Sequence, residues 1–476
     1  MKILHTGDWH LGNAIHDVDR IEEQKAFLDW LIETIKKEEI EALLVAGDIF
    51  DTHNPPIKAQ KIYYSFLASL INTDCKNIVI IGGNHDSGKL LDAPKALLDA
   101  LNINVVGRIE DKDIEDMIFP LKDKDGNVEA LCAAVPFLSD VELKNKYDIA
   151  DVEKEAGEED REKDREKDRE ENPKETFSDY AYSHIYDDFL EKAKEIRKDL
   201  GDENLPIIAM GHLYAAGLEG RYAEFENEEE EVKTDDRVQK LDVVGNLGKV
   251  HSNSFSKEFE YVALGHIHYT SRVGGEDRIM YSGSPFVMGY DDSFVDHHVL
   301  SLDLYTDTNE FKKPKWIKVP KWMRFERLEG TRDEIMDSLK SIVSSEAGDS
   351  DATSPYTPLY LELKYRAEDG SYLESAVDGL ELPEHVKIVS WNMIKKENAG
   401  TEFFEGESIK SMRSIKPEVV VRELILNKLP LSDEEKEDKS EEEIKELEDE
   451  LVNKYLPYFL AAFEEVDLEM KKEQED

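Results

Sequence analysis

Short apolar runs punctuate residues 1 to 305, and several end at once in a glycine and a polar side chain. Met1-Lys2-Ile3-Leu4, Ala42-Leu43-Leu44-Val45 and Ile78-Val79-Ile80-Ile81 have the length and β-branched content of buried strands. Between them the apolar positions move to helical spacing over 20–37, 57–71 and 89–101. Helical spacing resumes over 180–200, and Pro206 to Met210 reads as the strand that delivers Gly211-His212. This alternation predicts an α/β sandwich across 1–305.

From 306 to 396 the pattern changes. Strand character at 323–328, a helix at 331–343, period-2 alternation at 359–363, a helix near 372–380 and a strand at 386–391 predict a small α/β second domain. Residues 397–476 look helical. Ser432 with Glu435 and Ser440 with Glu443 have capping-box spacing. Ile444, Leu447, Leu451, Tyr455, Phe459 and Ala462 form an apolar stripe, which Pro457 should kink. The stripe suits packing on the chain's own second domain as well as docking on a partner helix.

A chain of 476 residues exceeds one ordinary core, so two or three domains are expected. No apolar run reaches the roughly 18 residues of a membrane helix, and the start lacks a secretory pattern. The chain therefore reads as a soluble cytoplasmic protein. Cys75 and Cys132 are the only cysteines, which suggests two buried thiols rather than a disulfide framework or a thiolate zinc site.

The net charge of −48 weighs against a basic nucleic-acid footprint. Its distribution matters more. Residues 151–175 hold 7 basic and 13 acidic residues, 224–236 hold 1 and 8, and 431–476 hold 6 and 19. Those three stretches supply −26 of the total. Within the first, 158–171 repeats Asp-Arg-Glu-Lys without an apolar residue and reads as a charged insertion, a solvated helix or disordered loop. The remainder is still acidic, so any grip on DNA must rest on local Lys/Arg clusters and bound metal.

Five spaced segments supply metal-type side chains: Gly7-Asp8-Trp9-His10, Gly47-Asp48, Gly83-Asn84-His85-Asp86, Gly211-His212 and Gly265-His266-Ile267-His268. In extended backbone residues i and i+2 share a face, so Asp8 with His10, and His266 with His268, can each aim two donors into one pocket. Asp48, Asn84 and His212 raise the set to seven oxygen or nitrogen donors. A bridging Asp48 gives two four-donor shells: Asp8, His10, Asp48 and His268 for one ion, and Asp48, Asn84, His212 and His266 for the other. Ions about 3.5–4 Å apart could clamp a phosphate and share a nucleophile. Mixed imidazole and carboxylate without thiolate favours Mn, Fe or Zn.

His85 follows one proposed ligand, which suggests a role in stabilising the phosphorane-like state or protonating the leaving oxygen. Asp86 could orient that imidazole or bind local backbone. His184, His251, His297 and His298 lack comparable context and read as structural or exposed.

Together, blocks 5–12, 46–52, 83–87, 209–213, 261–268 and 281–285 closely resemble the SbcD-type nuclease subunits of bacterial SbcCD complexes, within the calcineurin-like phosphoesterases. The resemblance implies a four-layer αββα core and a small capping domain, 306–396, that helps to hold DNA. It implies a dinuclear Mn site on Asp8, His10, Asp48, Asn84, His212, His266 and His268, with His85 as catalytic histidine. It further implies 3′ to 5′ exonuclease and endonuclease action on DNA ends and hairpins, in repair and recombination, gated by an SbcC-type ATPase. Family members form homodimers within a heterotetramer; here helices near 57–101 would pair, and helices near 417–464 would dock on the ATPase coiled coil. More distant archaeal and eukaryotic relatives carry a second catalytic histidine where this chain has Asp51, with His53 two positions on.

Two other readings compete. The same fold and metal site also serve phosphatases and cyclic-nucleotide phosphodiesterases. A non-enzymatic scaffold for DNA ends would need no intact donor set, yet every donor is present.

Overall fold

The computed structural model describes residues 1–109, 112–139, 177–215, 250–293, 295–304, 313–346, 357–366 and 379–394, with a few single positions besides. The chain divides into two compact units, Met1–Ile394 and Lys395–Asp476. The charged insertion and the predicted helices beyond 396 lie outside the described residues.

Among the described residues, the strands begin with β1 (Lys2–Thr6), a hairpin of β2 (Ala14–Ile15) and β3 (Val18–Asp19), β4 (Ala42–Ala46), β5 (Asn77–Ile81) and β6 (Ile103–Val106). There follow β7 (Ile118–Lys122), β8 (Val128–Ala134), β9 (Ile207–His212), β10 (Leu218–Glu219), β11 (Phe259–Gly265), β12 (Ser271–Val273) and β13 (Glu276–Tyr281). Last come β14 (His298–Asp303), β15 (Lys315–Lys318), β16 (Arg324–Thr331), β17 (Leu359–Arg366) and β18 (Val386–Ile394). The α-helices are α1 (Ile21–Lys37), α2 (Ile57–Leu70), α3 (Gly88–Asp92), α4 (Lys95–Asp99), α5 (Phe177–Leu200) and α6 (Arg332–Glu346).

One sheet has the order β15-β14-β1-β4-β5-β6 and a second the order β10-β12-β13-β11-β9-β8-β7. The strands β1, β4, β5 and β6 are parallel neighbours, as are β8, β9, β11 and β13. Burial on both faces explains why the central strands β4 and β5 are almost continuously apolar. Leu4, Leu43, Val45, Ile78 and Ile80 share a core with Phe27, Leu31, Tyr63 and Phe66 of α1 and α2. Ile3, Ala42, Leu44, Val79 and Ile81 point the other way, into a core shared with the second sheet. On the far side of the second sheet α5 buries Ala181, Ile185 and Phe189, and its Tyr186 hydroxyl donates to the Met210 carbonyl at 3.2 Å. An α/β sandwich results.

The expected helix over 89–101 is instead two short ones, α3 and α4. Pro94 stands between them as the N-cap of α4; it has no N–H to donate, and its ψ of 11° takes the chain out of the helix of α3. Ser87 caps α3 by accepting from the Leu90 amide at 3.4 Å.

Residues 324–394 contain a parallel sheet, β16-β17-β18, with its own core of Leu361, Leu363, Ile335 and Leu339. Its helix α6 begins on a capping box, in which the Glu334 carboxylate accepts from the Thr331 amide at 2.7 Å. A separate apolar cluster, Ile15, Val18, Val287, Tyr290 and Phe325, joins this sheet to the larger part.

Candidate metal centre

The expected donors follow the carboxyl ends of parallel strands from both sheets, where open α/β sheets usually bind ligands. Asp8 and His10 follow β1, Asp48 follows β4, Asn84 and His85 follow β5, His212 ends β9, and His266 and His268 follow β11. The structure brings all eight residues to one place, joining positions 258 apart in the chain.

Their convergence has a different local cause from strand alternation. Asp8 has φ 51°, His10 φ 43°, Asp48 φ 50° and His266 φ 104°, all left-handed backbone rather than extended. Trp9 shows why. Its indole is fully buried, edge-on to Phe27 at 6.0 Å and Phe66 at 5.4 Å, and donates to Thr6 Oγ1 at 3.0 Å. Sinking Trp9 into the helical layer turns its two neighbours toward the opposite side, where the donors meet. Backbone of this kind costs about 1–3 kcal/mol per residue unless its surroundings hold it.

Here the surroundings do hold it. The Asp8 amide donates to the Gly47 carbonyl at 2.9 Å and the His10 amide to the Asp48 carbonyl at 3.0 Å, so the β1 and β4 loops are laced together. Asp86 ties in the third loop, accepting from the amides of Ile49 at 3.0 Å, Phe50 at 2.9 Å and Gly83 at 2.9 Å. Of the two roles open to Asp86, binding local backbone is the one observed. Close approach leaves no room for a side chain at Gly265, where a methyl would fall on the Ala46 carbonyl.

Donor atoms of Asp8, His10, Asp48 and His268 all lie within 4.8 Å of one another. His10 Nε2 and His268 Nε2 are 3.2 Å apart. Beside them, Asn84 Oδ1 lies 3.0 Å from His212 Nε2 and 2.9 Å from His266 Nδ1. Asp48 Oδ2 stands between the two groups, 3.5 Å from His10 Nε2 and 3.4 Å from His212 Nε2. His266 and His268, two positions apart, thus divide between the groups.

Several polar atoms here call for a positive charge. Asp8 Oδ2 is buried and has no hydrogen-bond partner among the described residues. His212 Nδ1 donates to the Ala46 carbonyl at 2.8 Å, so a neutral ring turns the bare Nε2 toward Asn84 Oδ1 and Asp48 Oδ2. Without a positive charge on or beside the ring, three lone pairs would face one another. Electrostatics of the metal-free cage point the same way. Burial opposes charge on His212, but Asp48 and Asp8 outweigh it and lift the imidazole to about 9. Burial pushes the Asp8 carboxyl up to about 7, against the pull of His212. Asp48 is also buried, yet His212 and His10 hold it below the usual carboxylate range. Burial lowers His266 and His268 to about 3 each, helped by His212 and His10 respectively, so both present lone pairs at neutral pH. The cluster of Asp and His side chains fits a dinuclear metal site.

His85 is exposed at the mouth, its ring 4.8 Å from that of His10. Sequence reasoning missed what orients it. His85 Nδ1 donates to the Asp51 carbonyl at 2.8 Å, while Asp51 Oδ1 faces His10 Nδ1 at 3.4 Å. Position alone was the available signal, since Asp51 lies three residues beyond Asp48 in the same loop. His53 shows no place in either donor group.

The calcineurin-like phosphoesterase family profile matches residues 1–270. The chain is 32% identical over 293 residues to SbcD of the nuclease SbcCD from Escherichia coli K12, covering 61% of this chain and 62% of that protein. It is 32% identical over 310 residues to SbcD of Rhodobacter capsulatus, covering 64% and 66%. With SbcD of Bacillus subtilis it shares 28% over 304 residues, again covering 64% and 66%. The chain thus spans a little under two thirds of these relatives' length.

Proposed function

Since the chain belongs to the calcineurin-like phosphoesterase family, its profile spanning residues 1–270, we propose that it is a two-metal phosphodiesterase that cuts DNA together with an SbcC-type ATPase. The carrying observation is the position of Asp48 Oδ2 between His10 Nε2 and His212 Nε2, at 3.5 and 3.4 Å, which suits one carboxylate shared by two ions. The names of the similar proteins, nuclease subunits of SbcCD, support DNA as substrate and the ATPase as partner.

Asp8, His10, Asp48 and His268 would hold one ion, and Asp48, Asn84, His212 and His266 the other, with Mn2+ the metal proposed for both. Bound ions supply positive charge for the phosphodiester's transition state and activate the attacking water. The chain's own contribution is positioning. Asp86 and the Trp9 anchor keep the ligand loops rigid, and His85, exposed at the rim, protonates the leaving oxygen or stabilises the charge on the phosphorus oxygens. Residues 1–305 form the nuclease domain in this reading, 306–396 a capping domain and 397–476 the partner-docking segment. The cleavage is 3′ to 5′ on duplex ends and endonucleolytic at hairpins, by a homodimer within a heterotetramer in the cytoplasm. Among the described residues no helix is long and apolar enough to cross a membrane.

Cleavage of linear, hairpin and single-stranded DNA with Mn2+, with and without the cognate ATPase, tests the proposal. Mn2+-dependent cutting of duplex ends is the expected result. Turnover of small phosphate esters with no DNA cleavage would transfer the site to the phosphatase reading.

A further inference from the structure

We infer that Arg20 is a positioning residue that ties the seating of the β16-β17-β18 sheet to the geometry of the metal centre, through Asn13 and Asp51. The inference rests on the metal-centre reading above. Arg20 is 1% exposed, an unusual setting for a guanidinium. Its Nε donates to Glu23 Oε2 at 2.7 Å, and its Nη1 donates to the Val287 carbonyl at 2.6 Å and to Asn13 Oδ1 at 3.2 Å. The guanidinium carbon also lies 5.5 Å from the ring centre of Phe286 and 5.1 Å from that of Phe325. Phe325 belongs to β16, so a strand of the small sheet is packed on the same cation that bonds the loop after His10.

Directionality follows from donor and acceptor chemistry. A guanidinium can only donate, so the Asn13 oxygen must face Arg20 and the Asn13 Nδ2 must face away. Nδ2 donates to Asp51 Oδ1 at 3.0 Å. That same carboxylate oxygen stands 3.4 Å from His10 Nδ1, which makes no hydrogen bond among the described residues, so the carboxylate faces the ligand ring as a nearby negative charge. Gln24 fixes the loop from its other side, accepting from the Gly12 amide at 2.9 Å. Arg20 therefore sets the amide, the amide sets the carboxylate, and the carboxylate stands against the imidazole of a ligand.

Spatial continuity alone does not establish coupling, so the test is a double-mutant cycle on Mn2+ affinity in the full chain, by calorimetry or by the spin resonance of free Mn2+. Phe325→Leu, remote from every donor, is expected to weaken Mn2+ binding about tenfold, and Asn13→Ala to do the same. In the Asn13→Ala background Phe325→Leu should add nothing. Arg20→Met combined with Glu23→Gln removes the cation without stranding a buried carboxylate, and should match the single variants. Melting of the metal-free proteins separates this from general loosening, because a purely structural role lowers the melting temperature and leaves affinity below the melt unchanged. Phe325→Leu with affinity within about twofold of wild type, or with a loss that adds in full to that of Asn13→Ala, overturns the inference. A wild-type chain that takes up no Mn2+ removes the metal-centre reading and this inference with it.

Discussion

The imidazole of His85 is aimed by the backbone of Asp51, with Nδ1 2.8 Å from the carbonyl oxygen. A carbonyl only accepts, so this bond keeps a proton on Nδ1 and leaves Nε2 as the atom that exchanges protons at the mouth. No inner-cage donor is needed for that task. His85→Ala is therefore expected to slow DNA cleavage by about 10²–10⁴-fold, the usual range for a lost acid-base group, while bound Mn2+ stays at the wild-type level. Cleavage rates paired with elemental analysis of the same preparations check it. Wild-type cutting by the variant would remove His85 from the chemistry.

Asp48 has the opposite signature. One of its oxygens stands between the two donor groups and the other accepts from the His85 amide at 2.8 Å. Asp48→Ala should lose both ions together instead of one. A ligand that binds only the folded state stabilises it by about 2.7 kcal/mol at a hundred times its dissociation constant. Added Mn2+ should thus raise the melting temperature of the wild type and leave that of Asp48→Ala unmoved. Retention of a single ion by the variant would show that the carboxylate is not shared.

Strands and donors were legible in the sequence because each donor sits just beyond a run of buried strand residues. Ile3, Leu44 and Ile81 face one core and Leu4, Val45 and Ile80 the other, so both faces demand apolar side chains and the run is unbroken. The geometry that unites the donors was less legible. Spacing suggested that Asp8 and His10 share a face of extended chain, whereas both are left-handed around a buried Trp9. Asp51 was hidden for a different reason: it acts through its backbone carbonyl on His85 and its side chain on His10, contacts between loops that no spacing encodes. The break at Pro94 was readable from the residue itself, but helical spacing on either side masked it.

Two glycines separate close approach from ordinary loop flexibility. A methyl at Gly265 would collide with the Ala46 carbonyl, backbone of the neighbouring sheet, whereas one at Gly289 meets nothing within 4 Å. Gly265→Ala must push β4 and β11 apart at the metal centre, and is expected to cost about 1–3 kcal/mol or more, as overpacking does. Gly289→Ala should stay within about 0.5 kcal/mol of wild type. Urea unfolding of both variants checks the contrast. Equal stability would mean that the sheets can yield at this point.

His5 gives the fold a pH dependence separate from the donors. It is fully buried in β1, with Nε2 donating to the Leu264 carbonyl at 3.2 Å and Nδ1 2.9 Å from the Tyr261 hydroxyl. Burial drives its pKa from 6.5 down to about 3, with the Leu264 bond pulling weakly upward. Above 6.5 neither state carries the proton and nothing is lost. Between 6.5 and about 3 the unfolded chain binds a proton that the folded one refuses, so stability falls as pH falls through this window. At one pH unit below the unfolded value the loss is about 1.4 kcal/mol. His5→Gln removes that titration, so its deficit relative to wild type should shrink by about this amount between roughly pH 7.5 and pH 5.5, as read from urea unfolding at the two values. An unchanged deficit would mean that His5 holds its proton equally in both states, and that the pocket between Tyr261 and Leu264 tolerates the charge.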